Sequence, residues 1–349
     1  MSEITSGYWV AMGLLAEIPS GAAAGAEVAL WHWLAFGVFV VILLVLDLFV
    51  FHRKSREPTL RESATWTLIW AALALGFNGL VWAWRGSHIG IQFLTGYLVE
   101  WSLSMDNVFV FAVIFSFFGV PLRYQYRVLF WGILGAIVMR LTFILAGAAL
   151  LERFAWVMPC FGLFLMYTAV KLVGHKGAEV NPEKNLLMRV ARRLFPVARE
   201  NHGQRFFALE AGRFCITPLF LVLLVVESTD VLFAVDSVPA IFGITQDKFT
   251  VFTSNIFAIL GLRALYFLLA GVMGLFRYLD YGLAAVLAFV GIKMIGEYWL
   301  GHHLFEPAVA LVIIVALLGI SIVASIIANR KVPAAPPAEA LQGTGPAER

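Results

Sequence analysis

The sequence predicts an all-α fold, a polytopic transmembrane helical bundle of about nine spans with two three-helix inverted repeats inside it. Three observations carry this expectation. First, 61% of the 349 residues are hydrophobic, 13% are charged and the mean hydropathy is +0.87, whereas about a quarter of the residues of a soluble domain are charged. Second, the apolar residues fall into long runs, each long enough for a membrane helix of roughly 20 residues. Third, two of these runs carry closely similar sets of carboxylates.

In chain order, residues 1–32 read as an external N-terminal segment. The first thirty residues contain no Lys or Arg, so the basic start of a signal peptide is missing, and "GYWVAMGLLAEIPSGAAAGAEV" suggests a short interfacial helix. Residues 33–90 hold two spans, 33–51 and 66–84. Residues 91–173 form the first repeat, with spans at 91–118, 128–150 and 154–173. A basic loop, 174–213, precedes the second repeat, 214–299, whose spans are 214–242, 252–272 and 281–299. A last span, 306–328, lies within 300–330, and the Pro/Ala/Gly-rich tail 331–349 reads as disordered.

Lys and Arg placement sets the orientation, because cytoplasmic loops hold an excess of them. With the N-terminus outside and the C-terminus in the cytoplasm, 18 of the 25 fall in inside loops, eight of them in 174–213. Only Arg85, Arg153 and Lys248 fall outside. The basic loop is most simply a topological anchor, with lipid-headgroup binding or regulation as its other uses.

Four basic residues remain inside or at the ends of spans: Arg140, Lys171, Arg263 and Lys293. Five acids join them. Glu100 and Asp106 lie in "YLVEWSLSMDNVFVF", and Glu227, Asp230 and Asp236 lie in "ESTDVLFAVDSVPAIF". A charge at a helix centre costs about 2.5–3.5 kcal/mol on insertion scales, so such groups face a cavity or a partner.

Setting "EWSLSMDNV" over "DVLFAVDSV" matches Glu100 to Asp230, Asp106 to Asp236 and Asn107 to Ser237. "RLTFILAG" and "RALYFLLAG" then align Arg140 with Arg263, and "GLFLMYTAVKL" and "AAVLAFVGIKM" align Lys171 with Lys293. Each copy has three spans, an odd number, so the copies sit in opposite orientation, an arrangement that places binding sites near the midplane. Glu100 and Asn107 share a helix face, as do Asp230 and Ser237, whereas Glu227 and Asp236 point to opposite sides. The 214–242 stretch is longer than the apolar core requires, and Pro239 suggests a broken helix near Asp236–Pro239.

Carboxylates with Asn or Ser oxygens, and no His or Cys nearby in sequence, form a hard-ligand set suited to Mg²⁺, Ca²⁺ or Mn²⁺. The candidate ligands are therefore Glu100, Asp106, Asn107, Glu227, Asp230, Asp236 and Ser237, with Arg140, Arg263, Lys171 and Lys293 balancing charge. A purely structural ion-pair network uses the same residues, and spacing does not separate the two roles.

At these residues the chain resembles the TerC family, which includes pH-responsive Alx proteins and bacterial manganese exporters. The resemblance runs from about 33 to 330 and is strongest in "FLTGYLVEWSLSMDNVFVF", "ESTDVLFAVDSVPAIF" and "TSNIFAILGLRALYFLLAG". It implies an inner-membrane protein of a bacterium that exports Mn²⁺, with the family's acidic residues falling on Glu100, Asp106, Glu227, Asp230 and Asp236. Exchange for protons is expected from the crowding of acids. The alternative is a non-transporting membrane assembly or metal-delivery partner, including a tellurite-resistance-associated role.

The other polar features are weaker. Asp47 and Asn78 read as helix-packing groups, and His302 and His303 as an exposed loop near Glu297 and Glu306. His175 and His202 lie in the basic loop, where a pH or metal sensor would be useful. Cys160 and Cys215 read as small packing residues. No GxxxxGK[ST], nucleophile-elbow or zinc-protease motif is present. The sequence therefore predicts neither an enzyme nor a nucleotide-driven pump, no resident cofactor and no nucleic-acid partner; the expected partners are a divalent cation and the lipid bilayer.

Overall fold

The structure, a computed structural model, describes residues 28–52, 59–174, 185–198, 203–210, 212–270 and 278–330. The expected interfacial helix up to residue 27, the tail from 331, His175 and His202 lie outside the described residues. Among the described residues the helices are α1 (Leu30–His52), α2 (Leu60–Arg85), α3 (Ser87–Phe117), α4 (Leu122–Arg153), α5 (Val157–Gly174) and α6 (Leu186–Leu194). A hairpin of β1 (Phe207–Glu210) and β2 (Arg213–Ile216) follows. Then come α7 (Pro218–Phe242), α8 (Lys248–Leu260), α9 (Leu262–Ala270), α10 (Leu279–Leu300) and α11 (Pro307–Arg330). Eight of the helices are long and apolar enough to cross a membrane, and α8 with α9 makes a ninth span bent by 42°.

Local chemistry sets several boundaries. Thr59 and Glu62 form a capping box at the start of α2, satisfying backbone donors that the first turn leaves open. α2 ends at Gly86, whose φ of +90° lets the chain reverse into α3 through one residue. Thr217 caps α7, and Pro218 occupies the first turn, where its missing amide is harmless. Asp247 caps α8 while its carboxylate holds Arg85 at 2.7 and 2.9 Å. Burial alone would push the Asp247 carboxyl up, but the Arg85 and Thr250 hydrogen bonds hold it below its ordinary value.

The outside of the bundle is apolar: Leu68, Leu80, Val170 and Val312 are all exposed. In water such a surface would be costly; against lipid it is the expected one. α3 is the most enclosed span and packs on α2, α7, α8, α9 and α11. Packing between the two matched sets is reciprocal. α3 packs on α8 and α9, α7 packs on α4, and α5 packs extensively on α10. The α5–α10 crossing is close because Gly162 and Gly291 face one another there.

Four helix connections gather at one end of the bundle. Arg85, Asp247, Lys248 and Glu152 meet there, with Lys248 reaching Glu152 at 2.7 Å. Ser87, Gly243, His303 and Pro307 line a cavity of about 450 Å³ at the same end. The opposite end is capped by α6 and the hairpin, whose Met188, Phe206 and Ile216 join Val120, Leu129 and Leu219 in one apolar cluster.

Two sequence expectations differ from the structure. The helix expected from 214 begins at Pro218, because residues 213–216 pair as β2 and Thr217 supplies the cap. No break occurs at Asp236–Pro239: α7 is continuous, and Pro239 lies within its last turn. A proline there removes one hydrogen bond near the helix end, and the Pro239 carbonyl still accepts from Gly243 N at 3.0 Å. The bend lies instead at Gly261, where the missing side chain leaves α2's Trp70 little more than a van der Waals contact away.

Candidate ion-binding centre

The centre is built on α3, α4, α7 and α8. Glu100 on α3 and Arg140 on α4 form a salt bridge in which each side chain is 1% exposed. The same Arg140 Nη1 donates to Asn255 Oδ1 on α8 at 2.6 Å. Asn255 is oriented for this by its amide, which donates to Val251 O at 3.1 Å within its own helix. Asp230 on α7, also buried, is close enough to interact electrostatically with both Arg140 and Glu100. Ser237, two turns along α7, comes up beside Glu100, although its Oγ completes no hydrogen bond.

Glu100 and Asp230 share one guanidinium, with Glu227 a turn away on α7, so carboxyl groups outnumber the cation in a place where water is scarce. The centre is also incompletely satisfied. Glu100 Oε2, Arg140 Nε, Asp230 Oδ2, Ser237 Oγ and the nearby Ser104 Oγ are buried without a hydrogen-bond partner among the described residues. Each such atom would be costly in a purely structural network. The centre is closed: beside Asp230 there is space for about one water, walled by Phe111, Leu129, Ile133 and Val226.

A second group of acids lies where α3, α5, α7 and α10 meet. Asp106 interacts electrostatically with Asp236 and Asp280. Asp236 accepts a hydrogen bond from Thr168 Oγ1 at 3.0 Å and faces the charge of Lys171. The seven candidate ligands therefore divide. Glu100, Asp230 and Ser237 belong to the first group, and Asp106 and Asp236 to the second. Asn107 is buried on α3. Glu227, one turn before Asp230 on α7, interacts electrostatically with it and lies against Gly135 of α4, where there is no room for a β-carbon. Among the described residues no three His, Cys, Asp or Glu side chains stand close enough to hold a metal by themselves.

The four balancing cations divide as well. Arg140 and Lys171 serve the acids of the motifs. Arg263 pairs instead with Asp47 of α1, under the rings of Tyr126 and Phe130. Lys293 bonds to Gly243 O and Glu297 Oε1, both at 2.9 Å, and His303 contacts the same Glu297 at 3.3 Å. Asp47 is thus an ion-pair partner rather than only a packing group, because it is the carboxylate that Arg263 meets.

Sequence reasoning missed Asn255, Thr168 and Asp280. The signal for Asn255 was present in "TSN" of α8, three polar residues in an apolar span, all fully buried. Asp280 lies in the first turn of a helix, where an acid is ordinary and gives no signal.

Residues 85–332 match the model of the family described as "Integral membrane protein TerC family". The chain is 51% identical to an uncharacterized membrane protein of Myxococcus xanthus, over 86% of this chain and 93% of the relative. It is 45% identical to an Escherichia coli (strain K12) protein whose name describes a membrane-bound redox modulator, Alx, over 75% of this chain and 85% of that one. A membrane protein of Rickettsia bellii is 37% identical over 84% and 97% of the two chains. No solved structure matches significantly.

Proposed function

The chain belongs to the TerC family of integral membrane proteins, and from that premise we propose that it is a secondary transporter exporting divalent cations, chiefly Mn²⁺, from the cytoplasm in exchange for protons. The observation that carries this reading is the buried centre at Glu100, Arg140, Asp230 and Asn255, where carboxyl groups outnumber the guanidinium and oxygen atoms stand unpartnered. Oxygen donors of this kind suit a hard cation. A cation bound there would take over Glu100 and Asp230 oxygens, displacing Arg140 towards Asn255. When it leaves, a proton on a carboxylate offsets the charge that remains. Arg140 keeps its own proton and so offers a fixed load, whereas the carboxylates offer an exchangeable one.

The reciprocal packing of the two matched helix sets supports alternating exposure of the centre, since inverted copies can exchange conformations around a shared site. Under this reading the chain sits in a bacterial inner membrane with its N-terminus outside and its C-terminus in the cytoplasm. The Arg85 end of the bundle is then the outer one.

The test is flux in proteoliposomes of defined orientation containing only the purified protein. An outer face made acidic should drive Mn²⁺ towards it with protons moving inward, and Asp230→Asn should abolish the flux while the protein remains folded. Flux of Mn²⁺ that ignores both the pH gradient and a protonophore at clamped voltage would refute the exchange. No Mn²⁺ flux at all in the native protein would refute the transport reading.

A further inference from the structure

The basic segment between the two helix sets carries an amphipathic device that ion movement does not use. α6, with the sequence LLMRVARRL, has three faces. Met188 and Ala191 are buried against the bundle. Leu186, Leu187, Val190 and Leu194 are exposed and fall within an apolar arc of about 100°. Arg189, Arg192 and Arg193, also exposed, fill a third arc of similar width. Among the described residues none of the three arginines is in an ion pair.

The hairpin repeats the pattern. Leu209 pairs across to Phe214, and both are exposed together with Phe207, while Ala208 and Cys215 on the reverse face are buried. Arg205 and Arg213 stand exposed at its margins. A solvent-exposed apolar face of this kind is unfavourable in water.

The position of α6 along the bundle indicates what covers it. Asn185 Nδ2 bonds to Ser228 Oγ at 2.5 Å before α6, and Val197 pairs with Ile216 after it. α6 therefore runs antiparallel along the first turns of α7, roughly 15 Å of its length. The ion pairs Arg85–Asp247 and Lys248–Glu152 mark the far polar boundary of the bundle. A hydrocarbon layer of about 30 Å, or roughly 20 helical residues, measured from there ends near Val222 on α7 and Gly132 on α4. α6 lies across that level, with its apolar arc available to acyl chains and its arginines at the depth of lipid phosphates.

We propose that α6 and the hairpin form an interfacial foot that binds anionic phospholipid of the adjoining leaflet. Leu186, Val190 and Leu194 enter the acyl boundary, and Arg189, Arg192 and Arg193 hold headgroup phosphates. A basic and an apolar face side by side, at the level where the hydrocarbon ends, complement an anionic lipid in both respects. The proposal is independent of what the central acids carry, and its test reads lipid rather than flux.

The experiment measures lipid retention on the purified full chain by native mass spectrometry, with phosphatidylglycerol and phosphatidylcholine as the probes. The native protein should retain phosphatidylglycerol in preference, and the preference should shrink as salt rises. Replacing the arginines together (Arg189→Gln, Arg192→Gln, Arg193→Gln) should weaken retention roughly ten- to hundred-fold, whereas the matching Arg→Lys variant should keep most of it. A spin label on Leu194→Cys, with Cys160 and Cys215 replaced, should be more accessible to oxygen than to a water-soluble relaxer in lipid nanodiscs. Equal retention of the two lipids by the native chain, undiminished retention by the glutamine variant, or a water-exposed label would each overturn the proposal.

Discussion

Arg140 is the residue around which the centre is organised, since it joins an acid from α3 to an amide from α8 and faces a second acid from α7. Removing one member of a buried ion pair leaves an uncompensated charge, which costs about 3–5 kcal/mol, while removing both is far cheaper. Arg140→Gln, which leaves Glu100 and Asp230 without the cation they share, should therefore lower thermal stability in detergent strongly, and adding Glu100→Gln should recover part of the loss. If the double variant is as unstable as the sum of the two single ones, the pair is not coupled as drawn. The acids of this centre were legible in the sequence, because the expected repeat sets Glu100 against Asp230. Their partners were not. Arg263 aligns with Arg140 yet pairs with Asp47, since partner choice depends on which helix is adjacent, and α1 lies outside the repeat.

The spans are the most legible level of the fold. Each of the nine predicted runs corresponds to a helix, or to the bent pair α8 and α9, because sustained hydropathy is a property of many residues and tolerates single exceptions. Breaks depend on single residues and were misplaced. Pro239 suggested an interruption but lies in a last turn, while Gly261, unremarkable in sequence, marks the bend. Close helix crossings have the same character. A β-carbon on Gly162 would come within 2.7 Å of the Gly291 carbonyl oxygen, and backbone cannot move aside as a side chain can. Gly162→Ala and Gly291→Ala should each destabilise by about 1–3 kcal/mol. Gly37→Ala, which meets open space on α1, should be close to neutral in the same thermal melts.

For the whole molecule, the gathering of four helix connections at the Arg85 end matches the alternation inferred from Lys and Arg placement. The absolute direction is a matter for labelling. With Cys160 and Cys215 replaced, His303→Cys should react in intact cells with an impermeant thiol reagent and Arg205→Cys should not; the reverse pattern would invert the direction of export.

The two ends are not closed to the same depth. Along α3, Gln92 lines the 450 Å³ cavity at the Arg85 end. Gly96, one turn further, is packed against Ile241 and Ser254, each 3.0 Å from where its β-carbon would be, and Glu100 follows after another turn. One layer of side chains thus separates the cavity from the centre. Towards the other end the way is filled by Phe111, Phe115, Leu129, Val226 and Tyr266, an apolar mass several turns deep. A thin partition yields to the rearrangement of a few side chains such as Ile241, whereas a thick one yields only to helices shifting together, over microseconds to milliseconds. If the centre exchanges ions with both faces, as proposed, the thicker side sets the tempo of the cycle.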